Sequence, residues 1–277
     1  MRPPTSGARA DLHTHTTCSD GRLSPPGLVE KAHLRGLAAL AITDHDAVAG
    51  YALARPTAER LGVRLVPGVE LSAFVDGADV HLLGYGFDPE DAALKAHLAR
   101  YRAERLERAH EIVAKLGALG RIVEIERVLA LAGQGTVGRP HVARALVEAG
   151  HVETVQEAFE RYLADGAAAF VPKGTASPEE LAGLLHAAGG LCVLAHPGHW
   201  TSQRTVARLV EAGLDGIETV HPAHDANLVA YWKRTAERYG LIQTGGSDYH
   251  GFREGEEERF GRYTVPVERL ARLRRAA

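Results

Sequence analysis

Cysteine is scarce in this chain, and its scarcity limits the class of protein. Only Cys18 and Cys192 occur among the 277 residues, and they form no CxxC pair. This excludes a disulfide-stapled secreted scaffold and favours reduced thiols in a cytoplasm. No apolar run approaches the roughly 18 residues of a membrane helix, and the N-terminus lacks a signal-peptide pattern. We therefore expect a cytoplasmic protein with no membrane partner.

An excess of positive charge is also missing. The chain has 32 Lys and Arg against 35 Asp and Glu, a formal net charge of −3. This argues against the broad basic surface of a duplex-DNA-binding protein. With 45% hydrophobic and 24% charged residues, the composition is that of an ordinary globular protein. A chain of this length can bury a large core in one α/β domain with an inserted part.

Histidine, by contrast, is abundant, with 15 residues, many of them directly after short apolar runs. The first such stretch is DLHTHTTCSDG, residues 11–21, in which His13 and His15 stand two apart. Residues two apart face the same side of a strand, so both imidazoles would converge on one point. A metal ion is the usual reason for that convergence. Two polar residues on the wet face of a strand remain the alternative for this stretch alone.

Seven short apolar runs, bounded by Gly, Pro or polar residues, predict buried strands. They are residues 10–14, 38–43, 64–69, 80–85, 190–195, 216–220 and 241–245. Helical patterns separate most of them, for example 25–35, 178–188, 201–212 and 227–239. Strands that alternate with helices indicate a largely parallel sheet. About seven repeats favour closure into a barrel like the (β/α)8 type.

Residues 89–172 interrupt this alternation with a mostly helical pattern. One long helix runs through Leu94 and Leu116, and shorter helices are predicted at about 125–131, 140–149 and 155–163. We predict a disordered tail at 1–9, a first barrel part at 10–88, a helical insertion at 89–172 and a second barrel part at 173–277. The insertion could act as a lid.

Polar residues follow or flank nearly every predicted strand, where barrels of this type build their sites. They are His13, His15, Asp44, His45, Glu70, His81, His196, His221, Asp248 and His250. Any one of them could be a capping or loop residue. Their recurrence across the strands predicts a shared metal site.

The motifs HTH…SDG, TDHD, GVELS, HLLGY, AHP, VHP and GSDYHG occur in this order. In this series the chain closely resembles the PHP (polymerase and histidinol phosphatase) superfamily. With its helical insertion and the segment GRPHVARAL, it looks like the branch of 3′,5′-nucleotide phosphatases and 5′→3′ exoribonucleases that act on short RNA. The resemblance implies a distorted (β/α)7 barrel and a trinuclear site, often with manganese, iron or zinc.

The resemblance also implies a ligand set for each ion. The first ion would be held by His13, His15, Glu70 and Asp248; the second by Glu70, His81 and His196; the third by Asp20, His45 and His250. Asp44 and His221 would stand behind these ligands, with Asp44 orienting an imidazole. The chain departs from the expected HPGR at His199, which puts in question how this edge of the pocket reads its substrate.

Imidazole and carboxylate ligands suit Mn²⁺, Fe²⁺ or Zn²⁺, and we expect Mn²⁺. Three divalent ions set against Asp20, Glu70 and Asp248 would leave about three positive charges, enough to attract a phosphate ester. The nucleophile would be a metal-bridging hydroxide, since bound ions lower the pKa of water towards ~7. His221 and His224 are the possible acid or base groups. The chain lacks a GxSxG motif for a serine mechanism.

Substrate recognition needs fixed cations besides the metals. The candidates are Arg102, Arg105, Arg139, His141, Lys173 and His199, of which Arg139 stands at a predicted helix start. Most charges in a helix dense with Arg and Glu are simply solvated, so each assignment has a plain alternative.

The leading hypothesis is a metal-dependent phosphoesterase that acts on 3′,5′-nucleoside bisphosphates or on 5′-phosphorylated short single-stranded RNA. The alternatives are a histidinol-phosphate phosphatase of the same fold, an amidohydrolase, and a non-catalytic metal-binding module for protein assembly. The full ligand series argues against the last of these. Oligomeric state is left open.

Overall fold

The computed structural model describes residues 7–76, 78–172, 176–252 and 254–273. The chain divides into two units, Met1–Lys95 with Thr175–Ala277 (unit 1) and Ala96–Gly174 (unit 2). Sequence analysis predicted the insertion at 89–172, a few residues away at either end. Among the described residues, no helix combines the length and apolar character needed to cross a membrane.

Unit 1 contains one eight-stranded sheet. Its strands are β1 (Arg9–Asp11), β2 (Ala39–Ile42), β3 (Arg64–Val75), β4 (Ala78–Tyr85), β5 (Leu191–Leu194), β6 (Gly216–Val220), β7 (Ile242–Gly245) and β8 (Val265–Pro266). They lie in the order β7-β6-β5-β4-β3-β2-β1-β8. The N–H of Leu12 donates to the carbonyl of Gly245, 3.2 Å away, and that of His15 to Tyr249 at 2.9 Å. These bonds bring the two ends of the sheet together into a nearly closed barrel.

The helices, in chain order, are α1 (Pro25–Leu34), α2 (Ala49–Leu61), α3 (Ala92–Ala118), α4 (Ile125–Ala132), α5 (Arg139–Glu148), α6 (Val155–Ala158), α7 (Pro178–Ala187), α8 (Gln203–Glu211), α9 (Ala226–Tyr239) and α10 (Glu256–Arg259). A π-helical turn, Phe159–Leu163, extends α6, and a 3₁₀ helix covers Val267–Arg272. Side-chain caps fix several helix starts: Ser24 accepts from Gly27 N–H, Ser177 from Glu180 N–H and Asp225 from Leu228 N–H.

The buried core of unit 1 includes two clusters within the described residues. One contains Leu12, Leu83, Tyr85 and Val193, which pack with Val265 of β8. In the other, β2 packs against α1 and α2 through Leu28, Leu40, Ile42, Ala54 and their neighbours. Unit 2 has a buried core of its own, built from α3 to the π-helical turn, with Leu116, Val128, Val142, Leu146 and Leu163 among its residues.

The seven predicted strands are all present, but the prediction of a largely parallel sheet was wrong around β4. This strand pairs antiparallel with both β3 and β5. Only two residues separate Val75 from Ala78, whereas a parallel connection needs a dozen or more. The Asp-Gly pair at 76–77 is a hairpin signal. β8 pairs antiparallel with β1. This strand was not predicted because two residues are too few to show a pattern.

The predicted disordered tail, residues 1–9, extends into the start of β1. Arg9 begins β1 and pairs with Pro266 of β8, and Ala8 accepts a hydrogen bond from Val267 N–H. Residues 1–6 lie outside the described residues.

Candidate metal centre

Polar side chains gather at one edge of the barrel by two routes. His13, His45, His196 and Asp248 stand in loops that follow β1, β2, β5 and β7, so the parallel strands deliver them at their carboxyl ends. His81 reaches the same edge because β4 runs the other way: it lies near the start of this strand, opposite Ser72 of β3. Because β4 is reversed, a residue near its start lies beside residues that follow the ends of the parallel strands.

The nine side chains predicted as ligands form three groups that share members. The groups are His13–His15–Glu70–Asp248, Glu70–His81–His196 and His15–Asp20–His45–His250, and in each the ligand atoms lie within 4.8 Å of one another. The sets follow those that the resemblance implied, with one addition, since His15 also belongs to the group of Asp20. Imidazole and carboxylate are the ligand types that divalent ions such as Mn²⁺ or Zn²⁺ take.

Glu70 joins two of these groups. Its Oε1 lies 2.7 Å from His81 Nδ1 and 3.1 Å from His196 Nε2. Its Oε2 lies 3.3 Å from His13 Nε2 and 3.2 Å from His15 Nε2. A carboxylate with one oxygen turned to each group is suited to bridge two ions.

His15 shows that these residues fit a metal. Its side chain is fully buried, and neither ring nitrogen makes a hydrogen bond within the described part of the chain. Glu70 Oε2 and Asp248 Oδ1 each lie 3.2 Å from its Nε2, and Asp20 Oδ1 lies 3.7 Å from its Nδ1. A buried polar ring without a hydrogen bond is costly, and a cation at Nε2, beside both of those carboxylates, would satisfy the lone pair of the neutral ring.

Without metal, the imidazoles and carboxylates at this edge of the barrel stabilise each other's charged forms. Burial favours the neutral form of His15, but the neighbouring Asp248 and Glu70 outweigh it and raise its pKa to about 10. Burial would raise the pKa of the Glu70 carboxyl, yet His45, His81 and His13 hold that pKa well below its usual range. Asp248 likewise has a lowered pKa, since His13 and His250 outweigh its burial. The site thus holds carboxylates as anions, the form that binds metal.

The backbone is strained where it presents two of these residues. His196 has φ of 25° and Asp248 has φ of 49°, a region that non-glycine residues rarely occupy. Gly246 makes a close approach: a Cβ there would lie 2.3 Å from the backbone nitrogen of His13. Glycine is therefore required where the loop after β7 packs against the ligand of β1.

Glu218 is a site residue that sequence analysis missed. Its carboxylate is fully buried and accepts from His13 Nδ1, with Oε1 3.1 Å away, and from the backbone N–H of His196 at 2.8 Å. Burial would raise the pKa of Glu218, but His13 more than offsets this and lowers it. The carboxylate fixes the ring of His13 so that Nε2 faces Glu70. The available signal was a charged residue inside the five-residue apolar strand GIETV.

The role predicted for Asp44 differs in the structure. Its carboxylate accepts from Thr16 N–H, Thr16 Oγ1 and Ser19 Oγ, each at 2.7 Å, and none of these is an imidazole. Asp44 therefore shapes the turn that carries Asp20, while Glu218 does the orienting that was assigned to Asp44.

His221 and His224 differ in the protons they can offer. His221 Nδ1 accepts from Ala223 N–H at 3.0 Å, so the proton of its neutral ring sits on Nε2, which lies 3.6 Å from Asp248 Oδ2. His224 uses both nitrogens, donating from Nδ1 to Thr219 O and accepting at Nε2 from Gly198 N–H, each at 3.1 Å. Burial also lowers the pKa of His224. The geometry therefore favours His221, and not His224, as a hydrogen-bond donor to a bound ester.

Most of the predicted substrate residues lie in unit 2. Arg102 is exposed and Arg105 half-buried on α3. Arg139 Nη1 donates to Leu163 O at 3.1 Å and to Asp165 Oδ1 at 2.8 Å. His141 is buried, and its Nδ1 accepts from Gly138 N–H at the start of α5. Substrate contact by these residues stays a prediction. His199, which belongs to unit 1, is exposed. Lys173 lies outside the described residues.

Comparison with known proteins supplies the family. The PHP domain profile matches residues 11–170. A 3′,5′-nucleoside bisphosphate phosphatase of Chromobacterium violaceum is 37% identical over 254 residues, which cover 90% of this chain and 89% of that protein. The 5′-3′ exoribonuclease Rnm of Escherichia coli is 35% identical over 247 residues, 87% of this chain and 84% of its own.

One more relative and one solved structure also match over most of the chain. A phosphoribosyl 1,2-cyclic phosphate 1,2-diphosphodiesterase of Eggerthella lenta is 37% identical over 87% of this chain and 94% of its own. The crystal structure of a metal-dependent phosphoesterase from Bifidobacterium adolescentis superposes with a TM-score of 0.88 at 32% identity, covering 98% of this chain and 96% of that one. The chain belongs to the PHP domain family.

Proposed function

We propose that the protein is a metal-dependent phosphoesterase that removes phosphate from 3′,5′-nucleoside bisphosphates, or nucleotides from the 5′ end of short RNA. The observation that carries this proposal is the set of three adjoining His and carboxylate groups linked by Glu70 and His15. The relatives that match over most of the chain act, by their names, on phosphate esters of nucleosides, RNA and a sugar.

The charge of the site supports an anionic substrate. Three divalent ions against Asp20, Glu70 and Asp248 leave about three positive charges, and the buried Glu218 reduces that excess to about two. Ions held there would supply Lewis-acid activation of a water and neutralise the charge of the ester. Manganese as the resident ion, and three as their number, belong to this proposal.

The chain's own residues would do the remaining work. Glu70 and His15 link the three groups, Glu218 orients His13, and His221 presents an N–H at Nε2 beside Asp248. This N–H would donate a hydrogen bond to the leaving oxygen of the ester, where negative charge develops in the transition state. Neither Ser19, bonded to Asp44, nor the half-buried Cys18 is needed as a nucleophile.

The test is a turnover comparison on the purified, Mn²⁺-loaded protein with its metal content measured. The substrates are adenosine 3′,5′-bisphosphate, a 5′-phosphorylated oligoribonucleotide, a ribose 1,2-cyclic phosphate and histidinol phosphate. We expect the two nucleotide substrates to be preferred, and Asp248→Ala to lose both metal and turnover while keeping its fold. Preference for histidinol phosphate, or turnover that is independent of metal, would contradict the proposal.

A further inference from the structure

One large aromatic side chain, four residues after His196, is exposed to solvent. The chain has two tryptophans; Trp232 is fully buried, whereas Trp200 is 68% exposed. Single exposed apolar residues are common and need no explanation by themselves. Trp200 differs because of how it is held and where.

The ring of Trp200 lies face-on against Gly198. A Cβ at Gly198 would be 2.4–2.5 Å from three atoms of the six-membered ring, Cη2, Cζ2 and Cζ3. Near-equal distances to three ring atoms mean that the indole covers the glycine with one face. Gly198 has φ of 55°, which also favours glycine. The opposite face of the indole is therefore the one open to solvent.

Hydrogen bonds with two buried side chains fix the turn that carries the indole. The N–H of Gly198 donates to His224 Nε2, and its carbonyl accepts from Trp232 Nε1, both at 3.1 Å. Both of these side chains are buried. Thr201 N–H closes the turn on Pro197 O at 3.2 Å. Little conformational entropy remains to be lost when a ligand covers such a ring.

The turn at Gly198 is connected to the candidate metal centre through neighbouring histidine rings. Trp200 follows His196 by four residues, and His196 belongs to the group of Glu70 and His81. The ring centroids of His196 and His221 are 5.3 Å apart, and those of His221 and His224 are 5.5 Å apart. His224 in turn holds Gly198, on which the indole lies. A phosphate at the metals would place the rest of its ester near this turn.

We propose that the open face of Trp200 stacks on the base of the nucleotide substrate. Every nucleobase presents a π face, so one indole can accept any of the four bases. This inference rests on the proposed function. It assigns Trp200 as a binding residue that distinguishes nucleotides from other phosphate esters, a task for which the sequence motifs name no residue.

The experiment compares binding of adenosine 5′-monophosphate and ribose 5-phosphate to the metal-loaded full chain by calorimetry. The two probes share the sugar phosphate and differ in the base. Trp200→Ala should weaken binding of the nucleotide between about fivefold and 100-fold, the range for loss of one base–aromatic stack. Its affinity for ribose 5-phosphate should be unchanged. Trp200→Phe should retain part of the nucleotide affinity.

Leu34→Ala is the matched control, since Leu34 is 84% exposed at the end of α1, just before β2 begins and so at the barrel edge opposite the site. It should leave both affinities unchanged. Fluorescence gives a second readout: adenosine 5′-monophosphate should quench the emission of Trp200, ribose 5-phosphate should not, and the buried Trp232 reports that each variant is folded.

Two outcomes overturn the role of Trp200 alone. In one, Trp200→Ala keeps the wild-type preference for the nucleotide; in the other, it loses affinity for both probes equally, as a structural or partner-docking residue would. A wild-type protein that turns over no phosphorylated nucleotide would instead overturn the proposed function together with this inference.

Discussion

The carboxylate of Glu218 orients His13, a predicted metal ligand, without belonging to any of the three ligand groups. It accepts from His13 Nδ1 and from the N–H of His196, so it sets the orientation of two predicted ligands at once. Glu218→Gln keeps the volume and one acceptor oxygen but removes the charge. We expect metal affinity to fall by about 10–100-fold, as measured by titration of the metal-free protein.

The exposed Glu211 at the end of α8 offers a control. Glu211→Gln makes the same chemical change on the surface and should bind metal as the wild type does. Wild-type metal affinity in Glu218→Gln would show that His13 is oriented by other contacts.

His221 and His224 allow a second comparison between neighbouring residues. If the N–H at Nε2 of His221 stabilises the charge on the leaving oxygen through a hydrogen bond, His221→Ala should lower kcat by about 10²–10³-fold for an alkyl phosphate. It should hardly affect 4-nitrophenyl phosphate, whose leaving group is a stable anion without that bond. Metal content should stay unchanged.

His224→Ala should behave differently, because His224 supports the turn at Gly198. We expect a lower melting temperature and no dependence on the leaving group. Equal losses of His221→Ala on both phosphates would show that His221 does not stabilise the leaving oxygen.

At the scale of elements, loop geometry determines where the ligands point. Gly246, directly after β7, leaves no room for a Cβ beside His13. Gly246→Ala should push the loop of Asp248 away from β1, lower the free energy of unfolding by ~1–3 kcal/mol and reduce metal content. Gly183→Ala is the control: it lies within α7, and a Cβ there meets nothing within 4 Å. The control should be neutral or stabilising by up to about 1 kcal/mol.

The elements also show how far the sequence carries the fold. Strands β1–β7 were predicted because apolar runs between turn residues are visible locally. The reversal of β4 was not, although it decides how His81 joins the site, because strand direction depends on the connection and not on the strand. Glu218 was missed for a related reason: GIETV was interpreted as a buried strand, and the one charge within it was passed over.

The candidate ligands that gather in three groups could be proposed from the sequence because the motifs resemble those of a known family. Other features depend on contacts between distant segments. Asp44 and Glu218 are both buried acids near histidines, and only their hydrogen bonds show which of them orients a ring. The positive φ angles of His196 and Asp248 leave no trace in residue type.

At the scale of the whole molecule, metal binding should be coupled to proton release. Burial lowers the pKa of His13, but Glu218 and Glu70 raise it well above its usual value; His15 is raised to about 10, and His196 is raised chiefly by Glu70. At pH 7 the metal-free protein therefore holds protons that a metal must displace. Calorimetry in buffers of different ionisation enthalpy should detect release that declines as pH rises towards 10.

The same groups determine the stability of the metal-free protein. Since the folded pKa of His15 lies above its unfolded value, the stabilisation from its ion pairs is complete below about pH 6.5 and is lost as pH rises towards 10. The melting temperature of the metal-free protein should fall over this range. Bound metal should offset that fall, adding about 4 kcal/mol per site at a thousand times the Kd. A melting temperature that does not depend on pH without metal would contradict the coupling.

Arg139 tests whether a residue of unit 2 contributes to substrate binding. Arg139 of unit 2 is half-buried, with Nη1 bonded to Leu163 and Asp165 and its guanidinium over the rings of Phe159 and Phe170. If Arg139 also binds a non-reacting phosphate, Arg139→Ala should raise KM for phosphorylated nucleotides by about 10–100-fold, the loss of one charged hydrogen bond. Metal content and turnover of 4-nitrophenyl phosphate should persist, because both belong to unit 1.

Arg127 provides the control for this last variant. It pairs with Glu148 on the surface of unit 2, at 2.7 and 3.0 Å, and an exposed pair of this kind contributes about 1 kcal/mol at most. Arg127→Ala should keep the wild-type KM, while Arg139→Lys, which retains the charge without the forked geometry, should fall between wild type and Arg139→Ala. Melting curves identify any variant of unit 2 that loses its fold. A folded Arg139→Ala with normal KM for every phosphorylated substrate would exclude Arg139 from substrate recognition.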